Sequence, residues 1–131
     1  MNELVISGVN MLKPDGTVEI ANIHVSGDKI SKINRGEVTH DHIIDGKNKF
    51  ATPGLVNAHT HASMTLLRSY SDDKSLMDWL QKDIWPVEDK MKRKDIYWGA
   101  ALAAVEMIRG GTTAFADMYG PCMEEVAKVV D

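Results

Sequence analysis

The sequence predicts an α/β chain in which a small β-sandwich portion, residues 1–50, is followed over residues 51–131 by the first βα units of a TIM barrel. Three observations carry that reading. Glu3 to Lys49 is a string of short apolar runs separated by turn residues. Leu55–His59 and Thr112–Met118 are apolar or β-branched runs of strand length, with a helical pattern between them. A second helical pattern follows, which is the order of a parallel βα fold. A closed barrel needs eight parallel strands and roughly 200 residues or more, so a chain of 131 residues with two such strands carries an incomplete one.

In order, Leu4 and Ile6 alternate with Val5 and Ser7, and Pro14-Asp15-Gly16 suits the φ demands of a turn. Val18-Glu19-Ile20 and Ile23-His24-Val25 come next, and Ser26-Gly27-Asp28 turns the chain into Lys29–Ile33, a hairpin. The turn-rich stretch from Asn34 to Asp41 leads to Ile43-Ile44-Asp45-Gly46. Strands this short and one-sided make a small sandwich. Leu55, Val56 and Ala58 read as a buried strand, and Met64, Leu66 and Leu67 as a short helix within Ala62–Tyr70. Ser75-Leu76-Met77-Asp78 has the form of a capping box opening a helix that reaches about Lys82. Pro86 disfavours helix at Trp85, which is therefore expected to be extended, with Pro86 starting the next turn. Ile96, Ala100, Ala103, Ala104, Met107 and Ile108 fall at helical spacings, giving a helix from Asp95 to Arg109 that Gly110-Gly111 ends. Thr112–Met118 reads as a second buried strand, and Glu124–Val130 as the start of another helix.

Composition narrows the function classes. A net charge of −4, from 15 basic and 19 acidic residues, offers no basic patch for nucleic acid. The longest basic cluster, Lys90 to Lys94, reads as a solvated loop or helix start. Cys122 is the sole cysteine, so no intrachain disulfide forms and a reducing compartment, the cytoplasm, is the simpler expectation. Met1-Asn2-Glu3 opens with an acid and no apolar segment follows, so no signal peptide is read. No run approaches the ~18–20 apolar residues of a membrane span.

Histidines carry the main chemical signal. In a strand, residues i and i+2 share a face, so His59 and His61 can converge on one ion. Neutral imidazole is the commonest metal ligand and zinc the leading candidate, although a bare His-X-His is a weak signal. His40-Asp41-His42 repeats the spacing in a polar connection with no apolar strand behind it, and is read as ordinary surface. His24, opposite Ile23 and Val25, is expected to be exposed.

The block Pro53 to Arg68, PGLVNAHTHASMTLLR, closely resembles the metal-binding strand of the amidohydrolase superfamily. Continued through Asp72-Asp73, Met77, Trp79-Leu80, Ile84-Trp85-Pro86-Val87-Glu88, Tyr97-Trp98-Gly99 and Gly111 to Tyr119, it resembles one branch, the 5-methylthioadenosine/S-adenosylhomocysteine deaminases. The resemblance covers essentially this whole chain but only the N-terminal part of the family's protein. It implies water activated by a divalent metal, attack on C6 of an adenine nucleoside, and release of ammonia to leave the inosyl product. It also implies one zinc per complete subunit, with His59 and His61 as two of four protein ligands. The other ligands, and the Glu and His that transfer protons, belong to later strands, so no catalytic acid or base is assigned here. Two histidines suit Fe, Ni or Mn almost as well as Zn.

By the same resemblance Glu88 receives the two ribose hydroxyls. A carboxylate has two acceptor oxygens for the two donors of a cis-diol, whereas the plain alternative is an exposed acid near a helix start. Trp85 either walls the nucleoside pocket by stacking or belongs to the core. Trp79 and Trp98 read as structural. Asp117 braces the site or, the preferred reading, caps the following loop. Cys122 has no base near it and is assigned no chemistry. Two rivals remain: a related deaminase or chlorohydrolase acting on guanine, cytosine or a triazine, which would offer Glu88 no diol, and a non-catalytic fragment or interaction module. A two-strand barrel remnant leaves apolar faces and edges open. It is expected to be inactive alone and to be covered in a homo-oligomer or by the rest of the protein.

Overall fold

Alternation of polar and apolar residues carries the first strand further than expected: β1 spans Glu3–Leu12 and pairs antiparallel with β2, Val18–Ser26, which merges two of the expected short strands. The structure is a computed structural model that describes residues 3–120 and 122–131, so Met1-Asn2, where the absence of a signal peptide was read, lie outside the described residues. The chain is mixed α/β and divides into two units, Met1–Pro53 and Gly54–Asp131.

In the first unit β3, Lys29–Asn34, follows β2 through the turn at Gly27, whose φ of 63° suits glycine. β4, Ile43–Asp45, and β5, Phe50–Ala51, both lie parallel to β1, giving one five-stranded sheet of order β3-β2-β1-β4 with β5 beside β1. β5 is too short to show a pattern in the sequence and exists through its pairing. Val5, Val9, Ala21 and Ile23 are buried. A register shift between Ile6 and Val9 frees backbone groups, and buried Asn22 takes them up: its Oδ1 accepts from Gly8 N at 2.9 Å and from Ser7 Oγ at 3.2 Å. His24 is half-buried rather than exposed, its Nε2 lying 3.1 Å from Asn34 Oδ1, because β2 is flanked by a strand on either side.

The second unit opens on β6, Leu55–Thr60, which pairs in parallel with β7, Thr112–Asp117. The short helix expected within Ala62–Tyr70 is a 3₁₀ helix over Ala62–Leu67. α1, Leu76–Trp79, is capped by Ser75, whose Oγ accepts from Asp78 N at 3.3 Å. It passes into a π-helical stretch, Leu80–Ile84, and then into α2, Trp85–Glu88.

Trp85 is therefore helical, with φ −57° and ψ −42°, and not extended. In the wide π turn its N–H reaches Leu80 O, five residues back. That register brings Pro86 to the first turn of a new helix, where its missing N–H leaves no bond unmade.

α3, Arg93–Arg109, ends at Gly110 and Gly111, and α4, Met123–Val130, packs against it. Ala62, Ile96, Ala100, Ala103, Tyr119 and Val126 form the core. Close approach explains Gly99, where a Cβ would lie 2.3 Å from Ser63 O.

The burial expected of the two parallel strands is overturned within this chain, where a two-strand remnant leaves a face open. Leu55 and Val56 are 58% and 70% exposed, and Ala114 and Ala116 of β7 are exposed too. A two-stranded sheet covered by helices on one side leaves its other side to solvent. Trp98, read as structural, is 64% exposed on α3, where its ring and that of Tyr97 meet edge to face. Among the described residues no helix is long and apolar enough to cross a membrane.

Candidate functional site

His59 lies near the C-terminal end of β6 and His61 just beyond it. Between Asn57 and Thr60 the strand has one residue more than β7 has between Phe115 and Asp117. This bulge re-aims the chain, and Asn57 Oδ1 accepts from His59 N at 3.3 Å, satisfying a donor that the ladder leaves free. Beyond the strand, Ala62 N donates to Asp117 Oδ2 at 3.3 Å and Met118 N to Thr60 O at 3.2 Å. Asp117 Oδ1 also accepts from Tyr119 N at 3.0 Å. Asp117 thus caps its own loop, the preferred reading, and also ties that loop to the residue after His61.

Both imidazoles are exposed, with ring centres 5.2 Å apart and planes at 84°. Two imidazoles on one tetrahedral ion, with N–Zn bonds of about 2.0–2.1 Å, would have ring centres roughly 5.3 Å apart. The separation is of that size, and it is equally the separation of an edge-to-face ring pair. Among the described residues no group of three or more His, Cys, Asp or Glu could hold a metal ion, which leaves the pair short of the three protein ligands usual for catalytic zinc.

Beside the pair lies a cleft of about 420 Å³ within the second unit, lined by His61, Trp79, Trp85, Glu88, Met118 and Tyr119 among others. Trp85 is 44% exposed and borders the cleft, so it is not a core residue. Trp79 borders it as well, its Nε1 donating to Ser71 O at 3.2 Å. Glu88, the last residue of α2, is half-buried, and its Oε1 accepts from the Tyr119 hydroxyl at 2.8 Å. Tyr119 is 7% exposed; burial, followed by the nearby Glu88 carboxylate, holds its phenol well above the ordinary tyrosine pKa, so it stays a donor. Its ring also meets the edge of His61, centre to centre at 6.0 Å. The sequence reading assigned Tyr119 no role. The signal available was its place two residues past Asp117, at the C-terminal end of the second parallel strand, where βα barrels carry their sites.

His40, His42 and His24 all lie in the first unit and line no part of this cleft, and Cys122, half-buried against the core, does not line it either.

Residues 50–131 match the model of the amidohydrolase family. A 5-methylthioadenosine/S-adenosylhomocysteine deaminase of Syntrophomonas wolfei is 51% identical over 126 residues, which are 96% of this chain and 28% of that protein. The crystal structure of an adenosine deaminase from Xanthomonas campestris with bound zinc superposes with a TM-score of 0.76 at 34% identity, covering 96% of this chain and 30% of that one. A zinc-complexed atrazine chlorohydrolase of Arthrobacter aurescens reaches a TM-score of 0.80 at 21% identity over 96% of this chain and 32% of its own, a likeness of fold. The chain thus spans under a third of the length of these relatives.

Proposed function

The chain belongs to the amidohydrolase family, and on that premise we propose that it is the N-terminal portion of a zinc-dependent aminohydrolase that deaminates 5-methylthioadenosine or S-adenosylhomocysteine to the inosyl product. Residues 1–50 would contribute to a β-sandwich beside the catalytic domain, and residues 51–131 the first βα units of its TIM barrel. The cytoplasm is the compartment proposed, on the single cysteine.

The observation that carries the reading is that His61, whose ring centre lies 5.2 Å from that of His59, and Glu88 border one cleft. In this reading His59 and His61 supply two neutral nitrogen donors, and the bulge and Asp117 hold them in place. The chemistry that zinc supplies in such a site is activation of water for attack near neutral pH. Glu88 binds the ribose hydroxyls with its carboxylate and so orients the purine towards the histidines. Trp85 offers a flat apolar wall for stacking and helps to exclude water. A guanine, cytosine or triazine would leave a half-buried carboxylate without a diol, so Glu88 favours a nucleoside.

Glu88→Gln in the full-length protein tests the assignment. The exchange keeps size and removes charge, weakening a charge-assisted contact of about 1.5–3 kcal/mol, which corresponds to roughly ten- to hundredfold in kcat/KM for nucleosides. Equal effects on a nucleoside and on its free base would refute the role. Residues 1–131 alone, supplied with zinc, should not turn over methylthioadenosine, because the remaining ligands and the acid/base groups lie elsewhere in the protein; turnover by a soluble monomer would overturn the reading of the chain as a portion. Homo-oligomerisation or the rest of the protein would cover the exposed strand faces.

A further inference from the structure

We propose that Tyr119 is the positioning residue of this cleft, a buried strut that orients the Glu88 carboxylate towards a substrate diol and sets its distance from His61. The inference rests on the reading of Glu88 given above and deepens it. Three observations support it. The Tyr119 hydroxyl donates to Glu88 Oε1 at 2.8 Å. That bond uses one of about four acceptor positions on the carboxylate and leaves enough for two hydroxyl donors. The residue cannot easily move: it is 7% exposed, packs in the core cluster with Ala62, Ile96, Ala100, Ala103 and Val126, and its N–H is held by Asp117 Oδ1 at 3.0 Å. Its ring lies edge-on to His61 with centres 6.0 Å apart, so one rigid side chain touches both functional ends of the cleft.

Physical need for such a strut is plain. Glu88 ends a helix of four residues and reaches the cleft through a flexible side chain, which without a partner must be ordered when the substrate binds.

The test uses the full-length protein with Tyr119→Phe, Glu88→Gln and the double variant, assayed on a nucleoside with an intact diol and on its 2′-deoxy counterpart. Tyr119→Phe keeps the ring and so the core packing. It should raise KM for the intact nucleoside roughly three- to tenfold, the size expected from freeing one side chain, with kcat within about twofold. The preference for the intact diol over the deoxy compound should shrink by a similar factor. Tyr119→Phe should cost much less on top of Glu88→Gln than it costs in the parent, since the diol contact that the strut serves is already weakened. Additive losses, an equal loss on both nucleosides, or a fall in kcat alone would assign Tyr119 a merely structural part and overturn the proposal. A Glu88→Gln variant that loses kcat/KM by the same factor on both nucleosides, leaving the preference for the intact diol unchanged, removes the diol reading itself. A preference that shrinks in Glu88→Gln but keeps its parent value in Tyr119→Phe removes only the strut. If Tyr119→Phe melts early, the comparison of double with single variants at matched folded fraction still decides between these outcomes.

Discussion

In His40-Asp41-His42 the first imidazole turns back on its own chain, its Nδ1 accepting from His42 N at 3.1 Å while its Nε2 lies 3.9 Å from Glu3. In His59-Thr60-His61 the two rings meet edge to face, with centres 5.2 Å apart, and the second also meets Tyr119. The spacing is identical and the surroundings are not. His40 lies in the connection before β4, whereas the second tripeptide rides on a strand paired with β7, kinked by a bulge, and tied beyond its end to Asp117. A two-residue spacing brings rings together only where groups distant in sequence fix the backbone. The comparison thus locates the candidate metal pair in its backing as much as in its histidines.

The largest effect expected is on the pair itself. In the full-length protein His59→Ala or His61→Ala should remove most bound metal and lower turnover by more than about a hundredfold, since even partners behind a ligand commonly cost 10–100-fold. Metal analysis that finds full occupancy in His59→Ala would sink the assignment. A smaller effect should follow from disturbing the backing. Gly99→Ala places a Cβ 2.3 Å from Ser63 O, a backbone atom that cannot rotate away. Overpacking of this kind costs about 1–3 kcal/mol, and it would push the 3₁₀ turn that follows His61 off α3. Calorimetry should show a lower unfolding midpoint, together with weaker metal retention; an unchanged midpoint would mean that the contact relaxes freely. Asp117→Asn comes next. The amide keeps one acceptor oxygen for two backbone donors, so about 1 kcal/mol of support is lost, or about fivefold in metal affinity by titration. No change there would show that the bulge alone holds the histidines.

Much of this backing is legible in the sequence, and the remainder has physical reasons for being hidden. The Leu55 and Thr112 strands and α3 show themselves because their periodicity is local. β5 does not, since two residues become a strand only beside β1. Trp85 was expected to be extended from a rule about its immediate neighbour, and the π turn that begins five residues earlier overrides that rule. Exposure of Leu55 and Val56 depends on which strands and helices lie alongside, and no apolar pattern carries that information. The histidine pair and Glu88 stand out as residue types in a recognisable order. Tyr119 becomes visible only when the fold brings it to Glu88, thirty-one residues earlier in the chain.

The smallest effect should come from the other tripeptide, and it is the control that gives the comparison its force. His40→Ala with His42→Ala removes the Nδ1 acceptor and the approach to Glu3, both on the exposed connection before β4, where water takes the place of lost partners. The contact that joins this segment to β1 is between backbones, Val5 N donating to His42 O at 3.0 Å, and alanine preserves it. Thermal unfolding should therefore report a change within about 0.5 kcal/mol, and metal analysis of the full-length double variant should match the parent. Loss of metal in that variant would place an ion at the first tripeptide as well. Spacing alone would then suffice, and the bulge, Asn57 and Asp117 would be incidental to the second.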